Sequence, residues 1–284
     1  MRSLGVDVSE KRGLDLVLLD ESLHPRVQGG VTLEKLAELL REWKPDTIAI
    51  DSPPAWGKSG GSRQAEAALR RLGIQSYGTP SDPKKQEHRF FGWMKTGMAA
   101  FAVCEKEGYP RHRGGPVRGK AFEVFPHATS VVLSGGLPPG GASKKEWRTA
   151  VLRARGVELT RLTSIDLIDA ALAALTGLLA LRGEFTALGD PDEGAIVVPD
   201  RTLPTRSYPR GGPLGATDQL NLPGQNPCGC GTAGCREQTA GEFAPGHDAK
   251  RKALLWKRAR AGDEAVTELK RRGWELPPEL RGRR

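Results

Sequence analysis

The chain opens with Ser3-Leu4-Gly5-Val6-Asp7-Val8-Ser9-Glu10-Lys11-Arg12-Gly13-Leu14-Asp15-Leu16-Val17-Leu18-Leu19. Residues 3–8 read as a β-strand, Lys11-Arg12-Gly13 as a turn, and Leu14–Leu19 as a second strand. Asp7 sits inside the first strand, and alternation turns it away from Val6 and Val8. Asp has poor strand propensity, and Gly5 beside it permits close backbone approach. An acid placed there is either exposed on an edge strand or held for a purpose.

Outward from this hairpin the pattern alternates. Leu23–Gln28 continues the meander as a third strand. Thr32–Trp43 is an amphipathic helix with Leu33, Leu36, Leu39 and Leu40 on one face. Thr47–Ile50 is a short apolar strand, as in the middle of a sheet. Helices follow at Arg63–Leu72, ended by Gly73, and at about Phe91–Lys106. Ala121–Phe125 is a strand stopped by Pro126. Ser143-Lys144-Lys145-Glu146 has the form of a capping box opening a helix to about Arg155. Ser164–Leu181 is another helix, and Ala195–Val198 a last strand. The pattern predicts an α/β domain with a mixed sheet flanked by helices over residues 1–200. Residues 201–227 read as a Pro/Gly-rich linker or extended arm: nine of the 28 residues from Asp200 to Pro227 are Pro or Gly.

Four acids lie among apolar residues: Asp7, Asp51 in Ile48-Ala49-Ile50-Asp51-Ser52-Pro53, Glu123 in Phe122-Glu123-Val124-Phe125-Pro126, and Asp169 in Leu167-Ile168-Asp169-Ala170-Ala171. A buried carboxylate needs a partner, a proton or a cation. Four from distant segments suggest a divalent-metal site and phosphate chemistry. Asp51 ends a strand, where α/β sheets hold their sites, although an Asx-turn is an equal reading. Glu123 also fits a solvent-facing strand position. Asp169 lies past the first helical turn, with Ile165, Ile168, Leu172 and Leu175 around it. Metal ligation is favoured for it over a buried salt bridge to Arg148 or Arg153. Asp166, in the first turn, is set apart as a helix-cap residue with Thr163.

Bulk composition narrows the class. With 38% apolar and 27% charged residues in 284, the chain reads as a soluble globular protein. Leu167–Leu181 is too short to span a bilayer. No apolar run precedes Asp7 and Glu10, so no signal peptide and a cytoplasmic location are expected. Three of the four cysteines crowd into Cys228–Cys235, unlike a secreted disulfide framework. The formal net charge is +9, which favours a polyanionic partner such as nucleic acid. Residues 228–284 hold 13 Lys/Arg against 8 Asp/Glu and carry +5 of it.

Residues 228–284 form a separate basic, Cys/His-rich helical tail. Cys228, Cys230, Cys235 and His247 supply a Cys₃His set for a structural Zn²⁺, with Gly229, Gly231 and Gly234 allowing tight turns. Free thiols in a linker are the alternative. After it, Lys250, Arg251, Lys252, Lys257, Arg258 and Arg260 suit phosphate contact without sequence choice.

Five pieces together resemble one family. They are Gly5-Val6-Asp7, Ile50-Asp51-Ser52-Pro53, Arg63 with Glu66 before Leu69-Arg70, Glu123-Val124-Phe125-Pro126-His127, and Asp166-Leu167-Ile168-Asp169-Ala170-Ala171. Over residues 1–200 the chain resembles the predicted RNase H-like nucleases catalogued as domain of unknown function 429. Leu14 departs from the pattern, where an aromatic is expected after Arg12-Gly13. The resemblance implies an RNase H-like fold and a nuclease. Asp7 would bridge two Mg²⁺ or Mn²⁺ ions, with Asp51, Asp169 and Glu123 completing the catalytic set. Arg63, Lys144 and Lys145 would neutralise phosphate. Glu66 fits better as the helix partner of Arg70. Two rivals stand beside this reading: a non-catalytic nucleic-acid scaffold, and an actin-like phosphotransferase, whose glycine-rich phosphate hairpin Ser52-Pro53-Pro54 fits poorly.

Overall fold

The computed structural model describes residues 1–211 and, beyond them, 226–227, 238–239, 255, 266 and 269–270. Seven strands form one sheet: β1 Arg2–Ser9, β2 Gly13–Asp20, β3 Arg26–Val31, β4 Thr47–Asp51, β5 Ala121–Val124, β6 Thr186–Leu188 and β7 Ile196–Val198. Their order is β3-β2-β1-β4-β5-β7-β6. The first three strands are an antiparallel meander. β1, β4, β5 and β7 run parallel, and β6 closes the edge antiparallel to β7. This is the mixed, helix-flanked α/β sheet that the sequence pattern predicts.

Helices cover both faces. α1 (Leu33–Trp43) and α4 (Gly92–Lys106) pack on one face, over Leu4, Val6, Leu16, Ile48 and Ile50. Thr32 caps α1 by accepting from the Lys35 amide, and its buried stripe is Leu36, Leu39, Leu40 and Trp43. Leu14 is buried in the same cluster, and Cys104 packs there as a small apolar group whose thiol burial pushes up to about 12. The other face carries α2 (Gln64–Arg71), α5 (Pro126–Ser134), α6 (Lys144–Ala154) and α7 (Ile165–Leu181). Ser143 and Ser164 cap α6 and α7 through the amides of Glu146 and Leu167. Ser164, rather than Thr163, is therefore the cap of α7.

α7 is buried nearly all round, and it lies directly on β1. A Cβ on Gly5 would collide with the Ala170 carbonyl oxygen and the Ala174 nitrogen. Only glycine lets the helix sit this close to the strand.

Several elements differ from the sequence expectation. β3 begins at Arg26 rather than Leu23. α5 starts at Pro126, read as a strand stop; proline is also a favoured first helical residue. β6 and the single-turn helix α3 (Pro83–Gln86) had no expected counterpart. The first residues of the Pro/Gly-rich segment, up to Gly211, lie against the domain. Tyr208 is buried and donates its amide to Leu72 O at 3.0 Å, and Leu137 N donates to Pro209 O at 2.8 Å.

Residues Met1–Thr217 form one compact unit and Asp218–Arg284 a second, in which Asn226–Pro227 pairs antiparallel with Gln238–Thr239. Among the described residues no helix is long and apolar enough to cross a membrane.

A candidate active site of aspartates at the strand ends

Register sets the first three acids. β1 pairs with β2 so that Asp7 opposes Asp15, and with β4 so that Asp7 opposes Asp51. Residues paired in this way project to the same face of a sheet. Asp15, Asp7 and Asp51 thus form a row across three adjacent strands. Gly5 and Val17 share that face and pack on α7, whose first turns carry Asp166 and Asp169. The row lies at the carboxyl ends of β1 and β4, where parallel sheets leave room for a ligand.

The electrostatics of this cluster are unbalanced. Asp169 is buried between two cations, ion-paired with Arg148 and 3.0 Å from Lys144 Nζ. Arg12, on the β1–β2 turn, pairs with Asp166 at 2.7 Å. Among the described residues, Asp7 forms no ion pair. Burial, then the charges of Asp51, Asp169, Asp166 and Asp15, push it up to about 9. Burial and then Asp169 push Asp51 up to about 8, against a smaller pull from Arg148 and Lys144. Asp15 is also raised, by burial first and Asp166 second. Without a cation, Asp7 and Asp51 therefore favour their protonated forms at neutral pH.

Glu123 belongs to a different group. It pairs with Ile50, one residue before Asp51, and so projects from the opposite face. Both its oxygens are taken by Arg63, at 2.7 and 2.8 Å. Burial raises its pKa, and the guanidinium opposes the rise. Arg63 is itself buried, and its Nε donates to Glu66 at 2.9 Å. Glu66 also receives the Arg63 amide at 2.6 Å and the Thr79 hydroxyl at 2.6 Å. Arg70 meets Ser62 instead of Glu66. The expected phosphate-binding Arg63 is thus spent on two buried carboxylates, and Glu66 is its partner rather than that of Arg70. A neighbouring acid, Glu193, ties the amides of Lys58 and Gln64 at 3.0 and 3.2 Å and fixes the loop leading into α2.

The remaining expected residues are placed as follows. Lys144 is half-exposed on a cleft of about 230 Å³ that also exposes Asp51, Glu123 and Asp169. Lys145 turns away and donates to Thr163 O at 2.8 Å, which takes it out of the cleft. Cys228, Cys230, Cys235 and His247 lie outside the described residues, as does most of the basic tail. Asp15, Asp166 and His127 were not expected at the site. His127 stacks edge-on between Phe125 and Trp147, and burial with Arg148 and Lys144 lowers its pKa to about 4, so it is a neutral imidazole.

Among the described residues no group of three or more His, Cys, Asp or Glu side chains already stands in ligating geometry. The donor set still suits a hard cation. Among the described residues Asp7 and Asp51 form no ion pair, and the cost of burying them among other carboxylates is what a divalent ion relieves.

Fold and site together define an α/β domain with a mixed seven-stranded sheet and an aspartate row at its strand ends. The family profile described as "Protein of unknown function (DUF429)" matches residues 5–194, and the chain belongs to that family. Among solved structures, the chain is similar to the Thermus thermophilus RuvC structure, with TM-score 0.37 and 18% identity over 64% of this chain and 97% of that one. T. thermophilus RuvC in complex with Holliday junction substrate gives TM-score 0.36 and 15% identity over 64% and 96%. No curated protein sequence matches the chain.

Proposed function

We propose that the domain is a metal-dependent nuclease that hydrolyses nucleic-acid phosphodiesters. The observation that carries this reading is the Asp7–Asp51 pair, in register on one face and raised far above the ordinary carboxyl range by burial first and neighbouring carboxylates second. Asp7 and Asp51 would hold a Mg²⁺ or Mn²⁺ ion, with Asp15 and Asp166 as neighbouring acids. A bound divalent ion supplies an activated water and neutralises charge on the phosphate oxygens. Lys144, half-exposed at the cleft, is the side chain placed to meet a substrate phosphate. Arg148 holds Asp169, and the Arg63–Glu123–Glu66 group fixes the wall between β5 and α2. A second ion bridged by Asp7 would require Asp169 to exchange Lys144 for metal.

A non-catalytic nucleic-acid-binding role is the second reading. The pairing of Asp169 with Arg148 and Lys144 favours it, because an acid already neutralised has less use for a cation. Labelled DNA, RNA and hybrid substrates incubated with the full chain and Mn²⁺ separate the two. Cleavage that falls at least about 100-fold in Asp7→Asn supports the nuclease. Binding without cleavage on every substrate supports the scaffold, and ATP turnover would revive the phosphotransferase.

A further inference from the structure

The segment between α2 and α4 carries an aromatic group that the fold does not use. Among the described residues, Tyr77 and Phe90 are the exposed large apolar side chains, at 67% and 43%. They touch each other edge-to-face at 5.0 Å, and Phe90 contacts Phe91 in the same way at 5.0 Å. Tyr77 also lines the cleft that contains Asp51 and Asp169, beside Trp93. Two rings held together in water, one of them lining the cleft, have no packing reason to be there. An edge-to-face pair leaves ring faces open, as the exposure of Tyr77 shows.

The charges around the rings select the partner. Lys84, Lys85 and Arg89 are exposed on the same short segment, and its described ion pair is Lys95–Glu87 at 2.9 Å. An exposed aromatic pair on a segment whose Lys84, Lys85 and Arg89 form no ion pair among the described residues suits a strand whose bases stack on rings while its phosphates meet Lys and Arg. Bases inside a duplex already stack on one another and offer no free face.

We propose that Tyr77 and Phe90 form a stacking platform for an unpaired nucleobase, with Lys84, Lys85 and Arg89 meeting the adjoining phosphates. The substrate is then a nucleic acid with a single-stranded segment. The inference rests on the nuclease reading only for its claim about substrate; the platform itself is a binding site.

The test is binding without cleavage. Full-length protein, free of divalent metal, is titrated against a labelled single strand carrying 2-aminopurine and against a blunt duplex of the same sequence. The wild type quenches the 2-aminopurine. Tyr77→Ala and Phe90→Ala each weaken single-strand binding by about 5- to 100-fold and restore the fluorescence, while duplex binding is unchanged. Tyr77→Phe, which keeps the ring, binds as the wild type. Equal losses on both substrates, or unchanged single-strand affinity in the Ala variants, overturn the platform. The same variants assayed with Mn²⁺ keep the two readings apart. Ring-dependent binding with no wild-type cleavage refutes the nuclease alone; cleavage with ring-independent binding refutes the platform alone.

Discussion

At the scale of single residues, the aspartates divide by whether a cation answers them. Asp169 has Arg148 and Lys144, Asp166 has Arg12, and Asp7 has none within ion-pair distance among the described residues. The raised pKa of Asp7 carries a consequence for stability. Its folded value, about 9, exceeds its unfolded value, 3.8, so its contribution is fully present below about pH 4 and lost as pH rises towards 9. Metal-free wild type should therefore lose stability between pH 7 and 9 more steeply than Asp7→Asn, by up to about 1.4 kcal/mol per pH unit. Denaturant midpoints across that range measure it, and parallel profiles would count against the unneutralised Asp7. Arg63 gives a contrasting case. Arg63→Ala leaves Glu66 and Glu123 buried without their cation and should cost about 3–5 kcal/mol. Glu123→Gln should lower stability yet leave Mn²⁺ affinity intact, whereas loss of Mn²⁺ binding in calorimetry would restore Glu123 as a ligand. The sequence showed which acids sit among apolar neighbours, but whether a cation stands beside each depends on contacts between segments far apart. Glu123 and Arg63 are 60 positions apart, and nothing local in either motif announces their pairing.

At the scale of elements, legibility followed local constraint. The β1–β2 hairpin could be read because a turn centred on Lys11 fixes its register, and that register already places Asp15 opposite Asp7. The parallel pairing of β4 with β5 has no turn to set it, so the face that Glu123 takes stayed hidden. α1, α6 and α7 could be read from their caps and periodicity. α5 could not, because Pro126 signals a stop and a start equally well. The seating of α7 on β1 is the element contact on which the site depends, since it delivers Asp166 and Asp169 to the aspartate row. Gly5→Ala would force the helix off the strand. It should destabilise the domain by about 3 kcal/mol, the upper end for overpacking, and impair activity at the same time. Thermal unfolding unchanged in Gly5→Ala would show that the approach is looser than described.

At the scale of the molecule, charge and shape point the same way. A net charge of +9 favours polyanionic partners, while the site gathers carboxyl groups at the strand ends, with Asp7 and Asp51 raised into the range where they hold protons. A divalent cation reconciles the two, because it turns this carboxyl cluster on a basic protein into a place for phosphate. The central claim is thus that Asp7 and Asp51 bind a divalent ion. Calorimetric titration of Mn²⁺ into the full chain, at neutral pH in two buffers of different ionisation enthalpy, tests it most directly. Because both carboxylates are raised above neutral pH, binding must displace protons. The account predicts Mn²⁺ uptake with release of about one to two protons, abolished in Asp7→Asn. Wild type that takes up no Mn²⁺, or an Asp7→Asn variant that binds it equally and with the same proton release, would contradict it.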